Sequence, residues 1–429
     1  MIDATVPGDK SIAHRFLILS TLADGDSILS GVPASLDVLR TIACLRSLGA
    51  DIENGGGGVV RVSGPSRWRS PSAPLDCGNS GTTARLLTGL LAGLGVEAEL
   101  TGDESLMRRP MDRVVYPLQA MGARVSYAGL PDRLPLRAEE RASGGLRTLR
   151  YRPRVSSAQV RAALLLAALT GRVDLEIVDR LRPRDHTERI LRSMGAPVTT
   201  EPVTTGDRIT FPAASWGGRL EPLNALVPGD LSSAAFLVVA SLLTDTDLRV
   251  RSVGLNPTRD GFVSLLETMG AAIEVSETGT EAGEPVGDVL VRSSTLQPFS
   301  IDENLVPQLI DEVPALAVLA SRIDGVSVVR GAGELRVKES DRLTLLASNL
   351  QALGVRCEEL PDGLEIRGTA DPLTGTVRTG GDHRIAMAFA ALGTAPGCTI
   401  EVDEPGCVDV SFPGFWEALS HLVKDEETR

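Results

Sequence analysis

Six segments of the chain are apolar on nearly every side and rich in alanine, which predicts helices that are buried all round. They begin near residues 8, 78, 156, 229, 310 and 380, so successive copies lie roughly 70–80 residues apart. Each opens with small polar residues, as in GDKSIAHRFLILSTLA, GNSGTTARLLTGLLAGL, SSAQVRAALLLAALTG, GDLSSAAFLVVASLL, IDEVPALAVLASRI and GGDHRIAMAFAALG.

A second set of segments is amphipathic, with apolar residues near helical spacing, and each of these ends in a similar phrase. The phrases are LRSLGADI, LQAMGARV, LRSMGAPV, LETMGAAI and LQALGVRC, with glycines at 49, 122, 195, 270 and 354. Glycine at this point is typical of a helix C-terminus that turns into a strand. Short β-rich runs such as VDLEIV and VSVVRG lie between the helices. The pattern predicts six copies of one α/β unit, three per half, each with one buried and one more exposed helix on a small sheet.

One short phrase opens both halves of the chain: VPGDKS at 6–11 and VPGDLS at 227–232. Proline–glycine and glycine–aspartate are common turn dipeptides, so a chance match is the alternative explanation. Because the phrases are in phase with the other repeats, we interpret them as equivalent joints that each lead into the first buried helix of a half.

Length and composition restrict the possible functions. A chain of 429 residues is too long for one compact core and predicts two domains. A net charge of −13 and only 3% aromatic residues argue against binding nucleic acid or an anionic membrane. The five cysteines are scattered without a CxxC pair, which argues against a disulfide framework or a metal site. With no apparent signal peptide or transmembrane stretch, we expect a cytoplasmic protein.

The starts of the buried helices are candidate anion sites, because the first four N–H groups of a helix lack internal partners and carry partial positive charge. Basic residues reinforce several of them. Ser11 and Arg15 share a helix face beside Lys10, and Gly81 and Arg85 have the same spacing. Further along, Lys338, Glu339, Asp341 and Arg342 fall within five residues, and Lys338 and Arg342 again have the i, i+4 spacing of one helix face. His383 and Arg384 follow a glycine pair.

Each of these features also has a purely structural explanation. Ser11, Asn79 and Asp382 could be helix N-caps, and KESDR could be a solvated helix face. His383 could be a structural histidine, and Arg109 a loop charge. Solvated faces do not explain why the basic clusters are in phase with the repeat.

Eight ordered motifs resemble those of the EPSP synthases, the 3-phosphoshikimate 1-carboxyvinyltransferases. They are GDKSIAHRFLIL, GNSGTTARLL, RRPMDRVVYPLQAMGA, VSSAQVRAALLLAAL, PRDHTERIL, IDEVPALAVLA, LRVKESDRL and GGDHRIAMAFA, which span the whole chain. The resemblance implies a two-domain inside-out α/β barrel. It also implies an N-terminal domain of residues 9–226, a C-terminal domain of residues 1–8 and 227–429, and an active site in the interdomain cleft that domain closure completes.

The resemblance implies transfer of the enolpyruvyl group of phosphoenolpyruvate to the 5-hydroxyl of shikimate 3-phosphate, with release of phosphate, in the shikimate pathway to chorismate and aromatic amino acids. It implies no cofactor and no metal, only these two small-molecule substrates as partners, and a monomer. The alternatives are the sister transferase that acts on UDP-N-acetylglucosamine and a non-catalytic anion-binding homologue. Against these, residues 102–113 hold no cysteine and are not glycine-rich, and Lys10, Asp311 and Glu339 are all present.

The family's site residues carry over to positions of this chain. Those implied for shikimate 3-phosphate are Lys10, Ser11, Arg15, Ser157, Ala158, Gln159, Arg184, Asp311 and Lys338. Those implied for phosphoenolpyruvate are Lys10, Asn79, Gly81, Arg109, Gln159, Arg342, His383 and Arg384. Asp311 would accept the 5-hydroxyl proton, Glu339 would protonate the methylene carbon, and Lys10 would lie between the two ligands.

The chain departs from the family pattern in four places. Val410 stands where many members have a lysine, Ala158 replaces a serine, Arg184 stands near a missing tyrosine, and Leu86 replaces a proline. These features look like the class II branch. Glyphosate inhibits many members at the phosphoenolpyruvate site, and tolerant members often have alanine in place of Gly81. Gly81 therefore favours sensitivity here, whereas Val410 and Leu86 favour tolerance.

Overall fold

The computed structural model describes residues 1–140 and 144–424, which form two compact units. The N-terminal unit is Gly8–Val227 with Thr280–Glu284, and the C-terminal unit is Met1–Pro7, Pro228–Gly279 and Pro285–Arg429, described to residue 424. The main boundaries therefore fall one residue from those expected from sequence. The assignment of residues 280–284 to the N-terminal unit has no counterpart in the sequence pattern.

Fourteen α-helices are found in the described ranges. They are α1 Lys10–Ser20, α2 Leu36–Ser47, α3 Gly81–Leu94, α4 Glu104–Arg108, α5 Asp112–Ala120, α6 Ala158–Gly171, α7 His186–Ser193, α8 Leu231–Leu243, α9 Gly261–Thr268, α10 Val306–Leu309, α11 Val313–Ala320, α12 Arg342–Ala352, α13 His383–Leu392 and α14 Phe415–Lys424. The same ranges contain three short 3-10 helices, Ala213–Ser215, Gly333–Val337 and Pro405–Val410. The six buried helices predicted from sequence are α1, α3, α6, α8, α11 and α13.

The strands are short and lie between the helices. They are β1 Ile2–Ala4, β2 Ser27–Ser30, β3 Asp51–Gly56, β4 Val59–Ser63, β5 Leu75–Asp76, β6 Ala98–Thr101, β7 Val125–Tyr127, β8 Leu136–Ala138, β9 Leu149–Tyr151, β10 Leu175–Asp179, β11 Thr199–Val203, β12 Gly206–Phe211, β13 Asn224–Leu226, β14 Leu248–Gly254, β15 Ala272–Glu281, β16 Glu284–Arg292, β17 Ser300–Ile301, β18 Val326–Val329, β19 Arg356–Leu360, β20 Gly363–Arg367, β21 Thr374–Val377 and β22 Thr399–Val402.

The sheets repeat one arrangement. Those of the N-terminal unit have strand orders β13-β2-β4-β3, β5-β6-β8-β7 and β9-β10-β12-β11. In each, the first two strands are parallel and the second and third are antiparallel. The C-terminal unit repeats this in β1-β14-β16-β15 and β17-β18-β20-β19. Its third sheet, in the part of the chain that is described, is only the parallel pair β21-β22. The sixth repeat is therefore shorter than the sequence pattern suggests.

The five recurring glycines lie where the amphipathic helices end, as predicted. Gly49, Gly122, Gly195, Gly270 and Gly354 each stand two residues after the last residue of α2, α5, α7, α9 and α12, with φ between 86° and 107°. This left-handed conformation is one that residues with a Cβ rarely adopt, so glycine is required for the turn from helix to strand.

The VPGD phrases form equivalent joints, each between a strand and a buried helix. The Asp9 side chain caps α1 by accepting a hydrogen bond from the Ile12 N–H, and Asp230 caps α8 by accepting one from Ser232. The strand before each joint pairs with a strand that is distant in sequence: β1 pairs with β14, and β13 pairs with β2. Glycine is needed at the first joint, since a Cβ on Gly8 would lie 2.1 Å from the Gly31 carbonyl oxygen.

Each unit has its own hydrophobic core around its buried helices. One core draws its residues from Ile12 to Val227, and the other from Leu231 to Leu422. Helices α3 and α6 pack closely because glycine faces the neighbouring backbone. A Cβ on Gly89 would lie 2.2 Å from the Ala163 carbonyl oxygen. In the described residues, no helix is both long and apolar enough to cross a membrane.

Candidate active site

The start of α1 presents the first group of predicted site residues. Lys10 is the first residue of the helix, and its Nζ lies 2.9 Å from the Asp37 carboxylate in α2. Ser11 lies within the helix and is not its N-cap, because Asp9 takes that role. The Ser11 carbonyl oxygen accepts a hydrogen bond from Arg15 Nη1 at 2.8 Å. The sequence therefore places a lysine and an arginine at one helix start, each with a defined partner.

Arg15 is 4% exposed, and a residue of α7 fixes the orientation of its side chain. Its Nε donates a hydrogen bond of 2.7 Å to the hydroxyl of Thr187 in the first turn of α7. Burial lowers the pKa of the Arg15 guanidinium to about 10, still well above neutral pH. Arg184, half-buried in the segment before α7, contributes to that lowering through its own charge.

A second group surrounds the start of α3. Its N-cap is Ser80, whose hydroxyl accepts from the Thr83 N–H, so Asn79 is not the cap. Asn79 instead accepts hydrogen bonds from Arg109 through both its backbone carbonyl and its side-chain oxygen. Its amide nitrogen donates to Asp103 at 2.7 Å. Arg109 is thus held at the helix start, 6% exposed, rather than being a loose loop charge.

Gly81 is the first residue of α3 and stands between two guanidinium groups. A Cβ at this position would lie 2.7 Å from Arg85 Nη1 and 3.4 Å from Arg109 Nη1. Arg85 Nη1 also donates to Gln159 Oε1 at 2.7 Å. The structure therefore brings Gly81, Arg109 and Gln159 together as the sequence predicts.

The start of α6 supplies the remaining residues of this unit. Ser157 is the N-cap, its hydroxyl 3.5 Å from the Val160 nitrogen, and Ala158 is the first helical residue. Gln159 is fixed at both ends of its amide, because Arg85 donates to its oxygen and its nitrogen donates to the Thr82 hydroxyl at 2.9 Å. A fixed amide can distinguish a donor from an acceptor on a ligand.

In the C-terminal unit, basic side chains gather around Asp311, which lies between α10 and α11. Lys338 Nζ and Arg342 Nη1 lie 3.6 and 3.7 Å from Asp311 Oδ1, and Arg384 Nη2 lies 4.0 Å from Oδ2. Arg384 Nη1 also donates to the Asp311 backbone carbonyl at 2.8 Å. One carboxylate thus stands among three cations.

Arg342 is the most buried of these cations and is held by two further carboxylates. It lies 2.6 Å from Glu339 and 2.8 Å from Asp382, the N-cap of α13. Although burial alone would lower its pKa, the charges of Asp382 and Glu339 outweigh burial and raise the pKa of Arg342 further. Burial by itself would raise the pKa of Asp382, but the Arg342 guanidinium holds it below its usual value.

The KESDR segment is neither a solvated face nor part of a single helix. Lys338 follows the 3-10 helix Gly333–Val337, and Arg342 begins α12 because the Asp341 side chain caps that helix. The expected helical spacing between Lys338 and Arg342 is therefore wrong, although both side chains reach Asp311. His383 and Arg384 are the first two residues of α13, and both are buried.

The chain is similar to known proteins over nearly its whole length. The model of the family described as EPSP synthase (3-phosphoshikimate 1-carboxyvinyltransferase) matches residues 3–419. The 3-phosphoshikimate 1-carboxyvinyltransferase of Desulforudis audaxviator is 45% identical over 98% of this chain and 96% of its own length. That of a strain of Thermus thermophilus is 47% identical over 97% and 95%. This chain belongs to the EPSP synthase family.

A solved EPSP synthase of Acinetobacter baumannii has the same fold. It superposes with a TM-score of 0.83 at 36% identity, covering 98% of this chain and 95% of the other. The expected two-domain α/β fold of the EPSP synthases is therefore confirmed.

Sequence reasoning missed the partners that orient the EPSP synthase site residues. Lys10 is held by Asp37, Arg15 by Thr187, Gln159 by Thr82, and Asn79 by Asp103. All four partners lie 24 residues or more away in sequence, and Arg15 and Thr187 are 172 apart. The only signal was that Thr187 falls within the RDHTE motif. In the described residues, no cluster of three His, Cys, Asp or Glu side chains could hold a metal ion.

Proposed function

We propose that this chain transfers the enolpyruvyl group of phosphoenolpyruvate to the 5-hydroxyl of shikimate 3-phosphate and releases phosphate. The observation that carries the proposal is Asp311 among Lys338, Arg342 and Arg384. A carboxylate so placed can act as a base, while the cations neutralise a phosphate and a carboxylate of bound ligands.

The binding roles follow the family pattern. For shikimate 3-phosphate we propose Lys10, Ser11, Arg15, Ser157, Ala158, Gln159, Arg184, Asp311 and Lys338. For phosphoenolpyruvate we propose Lys10, Asn79, Gly81, Arg109, Gln159, Arg342, His383 and Arg384. No cofactor enters the proposed reaction.

The chemical step is an addition followed by an elimination. Asp311 takes the proton of the 5-hydroxyl while the oxygen attacks C2 of phosphoenolpyruvate, and Glu339 gives a proton to C3 to form a methyl group. The tetrahedral intermediate then loses a proton from that methyl group and expels phosphate, which restores the double bond.

The sister reaction on UDP-N-acetylglucosamine is the second candidate. In the segment 102–113 the structure has a short helix, α4, instead of a glycine-rich loop, and the segment holds no cysteine. These observations favour shikimate 3-phosphate as the acceptor. We also propose a monomer located in the cytoplasm, where the five free thiols of Cys44, Cys77, Cys357, Cys398 and Cys407 suit a reducing compartment.

Phosphate release from phosphoenolpyruvate, measured with each acceptor in turn, tests the proposal. We expect turnover with shikimate 3-phosphate and none with UDP-N-acetylglucosamine. Asp311→Asn keeps the size of the side chain but removes the base, so turnover should fall by about 10² or more while shikimate 3-phosphate still binds. Turnover with the other acceptor alone would assign the chain to the sister reaction, and no turnover with either would reject catalysis.

A further inference from the structure

The start of α7, residues Asp185–Arg189, is anchored by five consecutive side chains. Asp185 and Arg189 pair with each other at 2.8 Å within this turn. The three residues between them reach three other parts of the N-terminal unit: His186 lies 2.9 Å from Glu284, Thr187 accepts from Arg15 at 2.7 Å, and Glu188 accepts from Arg161 Nε at 2.8 Å.

The three central anchors are almost fully enclosed by protein. His186, Thr187 and Glu188 are 1%, 2% and 1% exposed, and Arg161 of α6 is 2% exposed. Buried charged and polar groups are costly to leave unpaired, so each contact resists movement of the helix start. The position of the Thr187 hydroxyl is therefore determined by its neighbours on both sides, and not by Thr187 alone.

Thr187 in turn restricts Arg15. Its hydroxyl holds Nε at 2.7 Å, and the Ser11 carbonyl holds Nη1 at 2.8 Å. Two bonds to different nitrogens fix the plane of a rigid guanidinium, which directs the edge that carries Nη2. In the described part of the chain, the hydrogen bonds of Arg15 leave this nitrogen for a ligand.

We propose that Thr187 is a positioning residue for shikimate 3-phosphate, acting through Arg15. It sets the direction of the guanidinium and thereby the affinity for that substrate, without touching the reacting atoms. The inference rests on the proposed function. The affinity for phosphoenolpyruvate should not depend on Thr187. Arg109 and Gly81, which we propose bind phosphoenolpyruvate, belong to a different set of contacts.

The test replaces Thr187 by valine, which has nearly the same shape without the hydroxyl, and by serine, which keeps the hydroxyl. In Thr187→Val we expect the KM for shikimate 3-phosphate to rise about tenfold, since the lost bond involves a charged group. The KM for phosphoenolpyruvate and kcat should stay within about threefold, and Thr187→Ser should restore most of the affinity. Thr88→Val is the matched control, because Thr88 is buried and its hydroxyl bonds only to the Ala84 carbonyl in the described residues.

A double-mutant cycle separates this role from a merely structural one. Lysine at position 15 keeps the charge but lacks Nε, so in Arg15→Lys the further change Thr187→Val should cost less than about twofold in the KM for shikimate 3-phosphate. Additive losses, equal increases of both KM values, or serine behaving like valine would overturn the inference while the proposed function stands. A wild-type chain without turnover would overturn the proposed function, and this inference with it.

Discussion

Gly81 is the position at which one added methyl group should change the candidate site most. In Gly81→Ala the Cβ would meet Arg85 Nη1 at 2.7 Å, so Arg85 must shift and loosen its bond to Gln159. The methyl group would also stand beside Arg109 Nη1. We therefore expect weaker inhibition by glyphosate and a smaller rise in the KM for phosphoenolpyruvate, because the inhibitor is longer than the substrate.

Inhibition competitive with phosphoenolpyruvate measures this effect in the wild type and in the variant. Gly217→Ala is the matched control, since a Cβ there meets nothing within 4 Å. An unchanged inhibitor affinity in Gly81→Ala would show that Gly81 does not face the inhibitor.

Asp382 should make the stability of the protein depend on pH. The pKa of its carboxyl is lower in the folded state than in the unfolded state. The ionised carboxyl therefore contributes fully to the free energy of unfolding above the unfolded-state pKa of about 4, and this contribution is lost as the pH falls through the folded-state pKa. In Asp382→Asn, Arg342 loses a buried partner, which should cost about 3–5 kcal/mol at pH 7. The difference from the wild type should shrink as the pH approaches 3.

Urea unfolding at several pH values measures this difference. Asp409→Asn serves as the control because Asp409 is exposed. A difference that stays constant from pH 7 to pH 3 would contradict the assigned ion pair.

At the residue scale, the sequence could mark candidate cations and carboxylates but not the residues that hold them. Lys10, Arg15 and Arg384 were found because they lie within the first turns of apolar helices, a local pattern. The Asp37 and Thr187 partners depend on contacts between elements that are 27 and 172 residues apart. A single sequence carries no local signal for such pairs.

At the scale of elements, the buried helices α3 and α6 can approach closely only because Gly89 lacks a side chain. In Gly89→Ala the Cβ would lie 2.2 Å from a backbone oxygen of α6, which cannot rotate away as a side chain could. We expect a loss of about 1–3 kcal/mol even though alanine favours the helix itself. Thermal unfolding of the wild type, of Gly89→Ala and of the control Gly217→Ala measures the loss. An unchanged or higher Tm in Gly89→Ala would contradict this packing.

The ends of the elements show why some predictions from sequence failed. The pattern gave the five helix-ending glycines correctly, because a left-handed turn restricts the residue type strongly. It offered Ser11 and Asn79 as alternatives for the caps of α1 and α3, whereas Asp9 and Ser80 take these roles. Several neighbouring residues could cap equally well, so the choice depends on where packing lets the helix begin. The same uncertainty led to the wrong helical spacing for Lys338 and Arg342.

At the scale of the molecule, two separate cores and six related sheets agree with the repeats read from the sequence. β1 pairs with β14 and β13 pairs with β2, so both strands lie in sheets formed by distant parts of the chain. VPGD follows both strands, which explains why it occurs at both joints. The short sixth sheet and the grouping of residues 280–284 with the N-terminal unit could not be predicted, because both depend on long-range packing.

The central proposal is one addition and elimination between phosphoenolpyruvate and shikimate 3-phosphate. An NMR time course with phosphoenolpyruvate and shikimate 3-phosphate in D2O tests it most directly. We predict that phosphate and a new vinyl ether appear in equal amounts. The vinyl ether should carry deuterium in its methylene group, because the added proton is exchangeable and the intermediate methyl group can lose either isotope. Phosphate without a vinyl ether, or no change in either substrate, would contradict the account.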